Sequence, residues 1–152
     1  MLTVRAAVAG DVDQWLEIVR EVEPLFGPMP DFARHAERAI ARGTALVVTD
    51  GEAVVGACLL SRDDEPHEIR WLAVRESHRR RGVGSLLVRE IEKRWPIGDI
   101  GVVTFTASTP GGNPARRLYE SRGFELRGQS EPGPDGSPRD FYVLPAARRV
   151  KR

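Results

Sequence analysis

Apolar and polar residues recur along the chain with two different periods, and these periods predict where strands and helices lie. Four segments carry apolar residues at helical spacing, which is typical of amphipathic helices. They are residues 12–23, 31–42, 83–95 and 114–122. Seven short runs rich in β-branched and other apolar residues are bounded by turn residues, which is typical of strands. They are residues 3–8, 44–50, 52–60, 67–74, 101–108, 124–129 and 139–144.

Turn residues mark the junctions between these elements. Asp50-Gly51 predicts a hairpin between the second and third strands. Gly10-Asp11 offers an N-cap for the first helix, and Pro24 is expected to end that helix at residue 23. Gly123 lies where the C-cap of the last helix belongs. The predicted order is a strand, two helices, three strands, a helix, a strand, a helix and two strands, which indicates an α+β fold.

Composition narrows the class of protein. The chain has 152 residues, which favours one domain, here residues 1–145, and the basic residues 146–152 are typical of a disordered tail. The net charge of +1 argues against a protein whose main partner is a phosphate backbone. Cys58 is the only cysteine, and the three histidines lack metal-ligand spacing, so we expect neither a disulfide nor a metal site. The absence of a long apolar run predicts a cytoplasmic protein without a membrane partner.

Most of the candidate ligand-binding residues lie in one stretch, HRRRGVGSLLV at residues 78–88. It is compatible with a basic patch for nucleic acid, a nucleotide-binding loop, or a charged turn before a helix. Glycines at 82 and 84 let the backbone approach a ligand closely, and the first free amides of the helix, near Gly82 to Ser85, suit a pyrophosphate. The dinucleotide-binding motif GxGxxG is not met, because Leu87 stands where its third glycine belongs. A P-loop is not met either, because Gly84 is followed by Ser85 and not by lysine.

The surroundings of this stretch carry a family resemblance. WLAVRESHRRRGVGSLLV, followed about thirty residues later by NPARRLYESRGF, resembles the GNAT superfamily of acyl-CoA N-acyltransferases. The resemblance covers residues 67–124 strongly. It implies a GNAT-like α+β (mixed α/β) fold, with a central, mostly antiparallel sheet of about seven strands flanked by about four helices. It also implies acetyl-CoA as the cosubstrate.

The resemblance further implies where acetyl-CoA binds. The step from Arg79 to Gly84 is similar to the family's pyrophosphate-binding motif, and the main chain of one strand takes the place beside the cofactor. The Leu72 amide is the expected oxyanion contact. Asn113 is similar to a cofactor-contacting asparagine, although Asn-Pro at a helix start equally indicates an N-cap and an N1 proline. The implied cofactor-binding residues are Leu72, Ala73, Val74, Arg79, Arg80, Arg81, Gly82, Val83, Gly84, Ser85, Asn113, Ala115 and Tyr119.

Two side chains are the implied catalytic groups. Tyr119 lies where family members often carry a tyrosine facing the cofactor sulfur, and a phenol can donate a proton to a leaving thiolate. It also belongs to a helical stripe and equally fits a packing role. Glu68 matches the position of a glutamate base in some members, whereas many others use water chains. Strand alternation would place Glu68 on the same face as Leu72. The weaker candidates for the base on the adjacent turn are His67, Glu65 and Asp64.

Few residues of the sequence indicate which acceptor binds. Family members hold it with the first helices and nearby loops, here around Glu21, Glu23, Phe26, Met29, Asp31 and Phe32, although a solvated face with core aromatics explains these residues equally well. The leading hypothesis is an N-acetyltransferase acting on a primary amine of a small molecule, amino acid, peptide or protein. A non-catalytic acyl-CoA-binding regulatory module is the alternative, and a nucleic-acid-binding module is the third hypothesis. A homodimer is left open.

Overall fold

The fold is built on a single sheet of seven strands in the order β1-β2-β3-β4-β5-β7-β6. A computed structural model describes residues 1–149. The strands are β1 Leu2–Ala6, β2 Ala45–Asp50, β3 Ala53–Leu60, β4 Glu68–Val74, β5 Ile100–Phe105, β6 Glu125–Gln129 and β7 Arg139–Leu144. The α-helices are α1 Val12–Phe26, α2 Phe32–Arg42, α3 Val83–Arg94 and α4 Asn113–Ser121. All neighbouring strands are antiparallel except β4 and β5. The predicted α+β class and element order are confirmed.

Helices cover both faces of the sheet and create two cores. Trp15 of α1 and Phe32 of α2 pack with Val47 on one face, whereas Leu87 of α3 packs with Val48 on the other. Successive residues of a strand point to opposite faces, so Val47 and Val48 can both be fully buried. Burial on both faces explains why β2 is an almost uninterrupted apolar run.

The first helix begins at residue 12 as predicted, but it differs from the prediction in its C-terminal end and in its capping. It continues through Pro24 to Phe26. Pro24 is exposed, and so is Arg20, whose carbonyl would have accepted the missing N–H, so water can replace the lost bond. Asp11 occupies the N-cap position without a capping bond. Its carboxylate instead accepts two hydrogen bonds from Arg5, at 2.8 and 2.9 Å, and one from the Val8 amide.

The first part of the predicted tail packs on the domain. Residues Ala146–Arg148 form a 3₁₀ turn, and the Arg149 guanidinium donates to the carbonyls of Glu92, Trp95 and Gly98. A cation at this place satisfies carbonyls at the C-terminal end of α3. The expectation of disorder is therefore wrong for residues 146–149. Residues 150–152 lie outside the described residues, and the boundary at residue 145 stays a prediction.

None of the helices within residues 1–149 combines the length and the apolar character that crossing a bilayer requires.

Candidate active site

The central strands β4 and β5 separate, and this opens a gap in the middle of the sheet. They are paired only at Glu68 with Gly101 and at Ile69 with Val102. Beyond these pairs, residues 71–74 of β4 keep their partner β3 on one side but have no partner in β5 on the other. An unpaired strand edge offers backbone donors and acceptors to a ligand.

Two amides of β4 face this gap. The Arg75 amide donates to the Val55 carbonyl at 2.7 Å, and residues that exchange ladder bonds alternate along an antiparallel pair. Ala73 and Trp71 therefore direct their backbone groups to β3, whereas Leu72 and Val74 direct theirs into the gap. These two amides are available to a ligand, and their predicted contact with the cofactor stays a prediction. The Ala73 amide belongs to the β3 ladder, and a contact of Ala73 with the cofactor stays a prediction.

A β-bulge changes the predicted position of Glu68. The register with β3 shifts between Leu59 and Leu60, and the extra residue, Arg70, reverses the alternation of faces. Ile69 and Leu72 consequently both pack in the core under α3 and α4, whereas Trp71 packs in the core under α1 and α2. Glu68 lies on the face of Trp71, opposite the side chain of Leu72. The predicted shared face of Glu68 and Leu72 is therefore wrong.

The loop before α3 has the geometry of an anion site. Arg79, Arg80 and Arg81 are all exposed, and Arg80 has a φ of 63°, the one non-glycine residue with a positive φ in the described chain. Gly82 is the N-cap of α3 in the left-handed conformation, and no side chain caps the helix. The first helical bond runs from the Leu86 amide to the Gly82 carbonyl. The three preceding amides, from Val83 to Ser85, remain available to a ligand.

The two glycines of this loop have different roles. Gly82 serves the turn, because its φ is 81°. A Cβ placed on Gly84 would lie 2.8 Å from Cδ2 of Leu118 on α4. Gly84 therefore permits the close packing of α3 on α4, and its side-chain direction points away from the space above the free amides. Its amide is still one of the three donors.

A histidine that the sequence analysis did not single out ties this loop to the β2–β3 turn. The His78 Nε2 atom lies 2.9 Å from Oδ2 of Asp50, and Nδ1 lies 2.8 Å from the Ser77 hydroxyl. The contact with His78 lowers the pKa of the Asp50 carboxyl below its ordinary value. The two residues are far apart in the sequence, and no local pattern could have paired them.

Tyr119 and Asn113 differ in their surroundings, although both lie on α4. Tyr119 is 4% exposed, packs against Phe124 with ring centroids 5.4 Å apart, and still lines the cleft beside Leu72. Burial raises the pKa of the Tyr119 phenol, so the group stays protonated at neutral pH. Asn113 is exposed, and its Oδ1 accepts a hydrogen bond from Arg116 at 2.7 Å. The N-cap of α4 is Gly112, so the alternative role of Asn113 as N-cap is wrong.

A cleft of about 500 Å³ lies where the gap opens toward the loop between α1 and α2. Of the residues expected around the acceptor, Phe26, Met29, Asp31 and Phe32 line it, together with Ala115 of α4. Glu21 does not, because its carboxylate accepts from the Glu76 amide at 2.8 Å. Glu23 does not line it either. The lining residues that the sequence analysis missed include Trp71, Phe105, Glu131 and Arg139, which come from separate strands and loops.

Among residues 1–149, no group of three or more His, Cys, Asp or Glu side chains could hold a metal ion.

Comparison with known proteins agrees with this geometry. The family described as "Acetyltransferase (GNAT) domain" matches residues 41–126. A GNAT-family acetyltransferase from Bacillus cereus superposes with a TM-score of 0.77 at 18% identity, over 95% of this chain and 97% of that one. PaiA N-acetyltransferase of Thermoplasma acidophilum, solved with coenzyme A, gives 0.72 at 14% identity, over 95% and 99% of the two chains.

A third solved structure has the same fold, and curated sequences add no relative. YncA of Salmonella typhimurium, solved with acetyl-CoA, superposes with a TM-score of 0.72 at 19% identity, over 95% of this chain and 94% of that one. No curated protein matches the chain significantly. The family match spans more than half of the sequence and includes β4, the arginine-glycine loop and α4. The chain therefore belongs to the GNAT family of acetyltransferases.

Proposed function

We propose that the protein is an N-acetyltransferase that transfers the acetyl group of acetyl-CoA to a primary amine by direct attack of the amine on the thioester. The observation that carries this proposal is the gap between β4 and β5. It places the free amides of Leu72 and Val74 between the uncapped N-terminus of α3 and the cleft that Tyr119 lines. Separate donors for a diphosphate, an extended arm and a carbonyl oxygen thus lie in one continuous region.

The residues of this region fit acetyl-CoA. The amides of Val83, Gly84 and Ser85 would hold the diphosphate, with Arg79 to Arg81 supplying positive charge around it. Hydrogen bonds to a charged group contribute about 1.5–3 kcal/mol each, so three amides suffice for useful affinity. The strand edge at Leu72 and Val74 suits the amide-containing arm, and Asn113 and Ala115 lie on the facing helix. The thioester supplies an activated acetyl group.

A backbone amide of β4 stabilises the negative charge that develops on the carbonyl oxygen of the thioester. As the amine nitrogen bonds to the carbonyl carbon, the Leu72 amide donates to the oxygen on which negative charge develops. A donor fixed in a strand needs no reorganisation at that moment, which is the main advantage of preorganised sites.

Tyr119 acts as the general acid. The C–S bond breaks as the tetrahedral intermediate collapses, and the hydroxyl of Tyr119 protonates the leaving sulfur. The phenol is protonated at neutral pH and so can donate, whereas burial, which raises its pKa, makes it a weaker acid. This role is supported by the fact that Tyr119 and Leu72 line the same cleft. Tyr119 also packs in the core.

Glu68 prepares the amine. An alkylammonium cannot attack until it loses a proton, because its pKa is about 10.4. Glu68 lies on the face of the sheet shared with Trp71, and its side chain lines a neighbouring pocket with Gly101 and Phe141 rather than the cleft. Its carboxylate forms an ion pair at 3.3 Å with Arg70, which does line the cleft. Glu68 accepts the proton there, directly or through water. A chain of waters without Glu68 is the alternative.

A combined binding and turnover screen tests the proposal. Acetyl-CoA should raise the melting temperature, and CoA should be released when a suitable amine is added. Binding without turnover over a broad amine panel would instead favour a regulatory acyl-CoA-binding module. Absence of binding would overturn the proposal, and strongly salt-dependent binding of duplex DNA would favour the nucleic-acid hypothesis. A cytoplasmic location and a homodimer stay predictions.

A further inference from the structure

The wall of the acceptor cleft is aromatic. Trp71 lies in ring contact with Phe32 at 4.7 Å and with Phe26 at 5.7 Å, and Phe26 in turn contacts Phe105 at 5.5 Å between centroids. Trp71 and Phe26 are half-buried, whereas Phe32 and Phe105 are buried behind them. Two ring surfaces are therefore open to the cleft on a rigid support. Such a wall favours an apolar or aromatic body and also attracts a cation.

Two carboxylates lie at the rim of this wall without a cationic partner. Asp31 is exposed at the start of α2 and does not cap that helix. Glu131 is exposed in the loop between β6 and β7. Both line the cleft, and neither takes part in an ion pair within the part of the chain that the structure describes. The two acidic groups come from separate loops on the same cleft.

The guanidinium groups of the cleft are already compensated. Arg70 pairs with Glu68 at 3.3 Å. Arg139 is 6% exposed, pairs with Asp135 at 3.8 Å, and stacks over Phe105 at 4.7 Å from the ring centroid. His35 also lines the cleft and carries a full charge only when protonated. Counted with the ion-pair partners, the cleft has two guanidiniums and four carboxylates, those of Asp31, Glu68, Glu131 and Asp135. A ligand carboxylate would meet uncompensated negative charge there.

Resting on the proposed function, we infer that the acceptor is a small primary amine that carries an aromatic or bulky apolar group and has no carboxylate. The ammonium group would approach past Asp31 and Glu131 while its apolar body lies on Trp71 and Phe26. A cleft of about 500 Å³ has the size of a small-molecule site. The same charges act against free amino acids, because like-charge juxtaposition is a main source of discrimination between ligands.

A graded series of amines tests this inference. Phenethylamine, phenylalaninamide and phenylalanine share one skeleton and differ at the carbon that bears the amine, which carries hydrogen, a neutral amide or a carboxylate. Ethylamine lacks the ring. We expect kcat/KM for phenethylamine to exceed that for phenylalanine by about tenfold or more, with phenylalaninamide close to phenethylamine. Loss of the ring should lower kcat/KM by about 10–100-fold.

Substitution of Asp31 and Glu131 tests whether these two carboxylates cause the preference for phenethylamine over phenylalanine. In the double variant Asp31→Asn, Glu131→Gln, the preference for phenethylamine over phenylalanine should fall below about threefold, because the charge that discriminates has been removed. Glu37→Gln is the matched control, since Glu37 is exposed on α2 but does not line the cleft. It should keep the full preference.

Failure of the inference and failure of the proposed function give different results. Acetylation of phenylalanine or of ethylamine as fast as phenethylamine would overturn the inference and leave the acetyltransferase function intact. Acetyl-CoA binding without turnover of any of the four amines would also overturn it. An unchanged preference in the double variant would show that Asp31 and Glu131 do not select the acceptor. The proposed function itself would be overturned by the absence of acetyl-CoA binding, or by binding without turnover of any amine in the broad panel.

Discussion

Replacement of Ser85 by aspartate should change the free protein and its complex with acetyl-CoA in opposite directions. Ser85 is the third residue of α3, and its amide is one of the three that no backbone or side-chain acceptor within the helix satisfies. Side chains of a helix lean toward its N-terminus. A carboxylate at residue 85 therefore lies close to the place where a diphosphate would bind.

The two effects can be estimated separately. A carboxylate in the first turn of a helix stabilises the free protein by about 0.3–1 kcal/mol. A chain of this size gains about 2–4 °C per kcal/mol, so we expect a melting temperature higher by about 1–4 °C. In the complex, a carboxylate about 5 Å from a phosphate charge costs about 1–3 kcal/mol at effective dielectric constants between those of water and a protein surface. The affinity for acetyl-CoA should fall about 5–150-fold.

Calorimetry of acetyl-CoA binding and thermal unfolding of the free protein measure the two quantities. Ser85→Asn is the matched control, because asparagine has the size of aspartate without its charge, and it should lose far less affinity. Equal affinity of the Asp and Asn variants would refute the assignment of the diphosphate to this helix end. A lower melting temperature of the free Asp variant would refute the geometry of an uncapped N-terminus.

Three further substitutions test other parts of the molecule. Tyr119→Phe keeps the ring, so acetyl-CoA affinity should persist while turnover falls on the order of 10²–10⁴-fold; equal turnover where chemistry limits the rate would leave Tyr119 a packing role only. Glu68→Gln should lower turnover, and the defect should shrink as pH rises toward the pKa of the amine, since free amine then forms unaided; pH–rate profiles of near-equal height would exclude Glu68 as base. Asp11→Asn should lower the unfolding free energy by about 1–3 kcal/mol at pH 7. Arg5 holds the pKa of Asp11 below its ordinary value, so this difference should persist above about pH 4 and vanish as the carboxyl protonates below its lowered pKa. A denaturant-unfolding difference that stays constant through acid pH would contradict this.

The errors of the sequence analysis have physical causes that differ from one element to the next. Pro24 was expected to end α1, but its position on the exposed side makes the lost hydrogen bond tolerable. Residues 146–149 look like a basic tail in sequence, and only the open carbonyls at the end of α3 show what Arg149 binds. The alternation used to place Glu68 assumes a regular strand, and the bulge at Arg70 breaks that assumption.

What the sequence determined by itself is local. Turn residues and apolar periods gave seven strands and four helices, and the last strand was predicted with the observed bounds, Arg139–Leu144. The arginine-glycine loop before a helix indicated an anion site, because a helix N-terminus has free amides wherever it occurs. Hairpin pairing also follows from adjacent residues, as between β2 and β3 around Gly51.

The tertiary structure decided everything that depends on residues distant in the chain. It separated β4 from β5 after two paired residues and thereby freed the amides of Leu72 and Val74. It brought Asp31 and Glu131 to the same cleft, a hundred positions apart, and placed His78 on Asp50. Strand register, bulges and cleft walls result from packing on both faces of the sheet at once. No local pattern of residues encodes packing between distant parts of the chain.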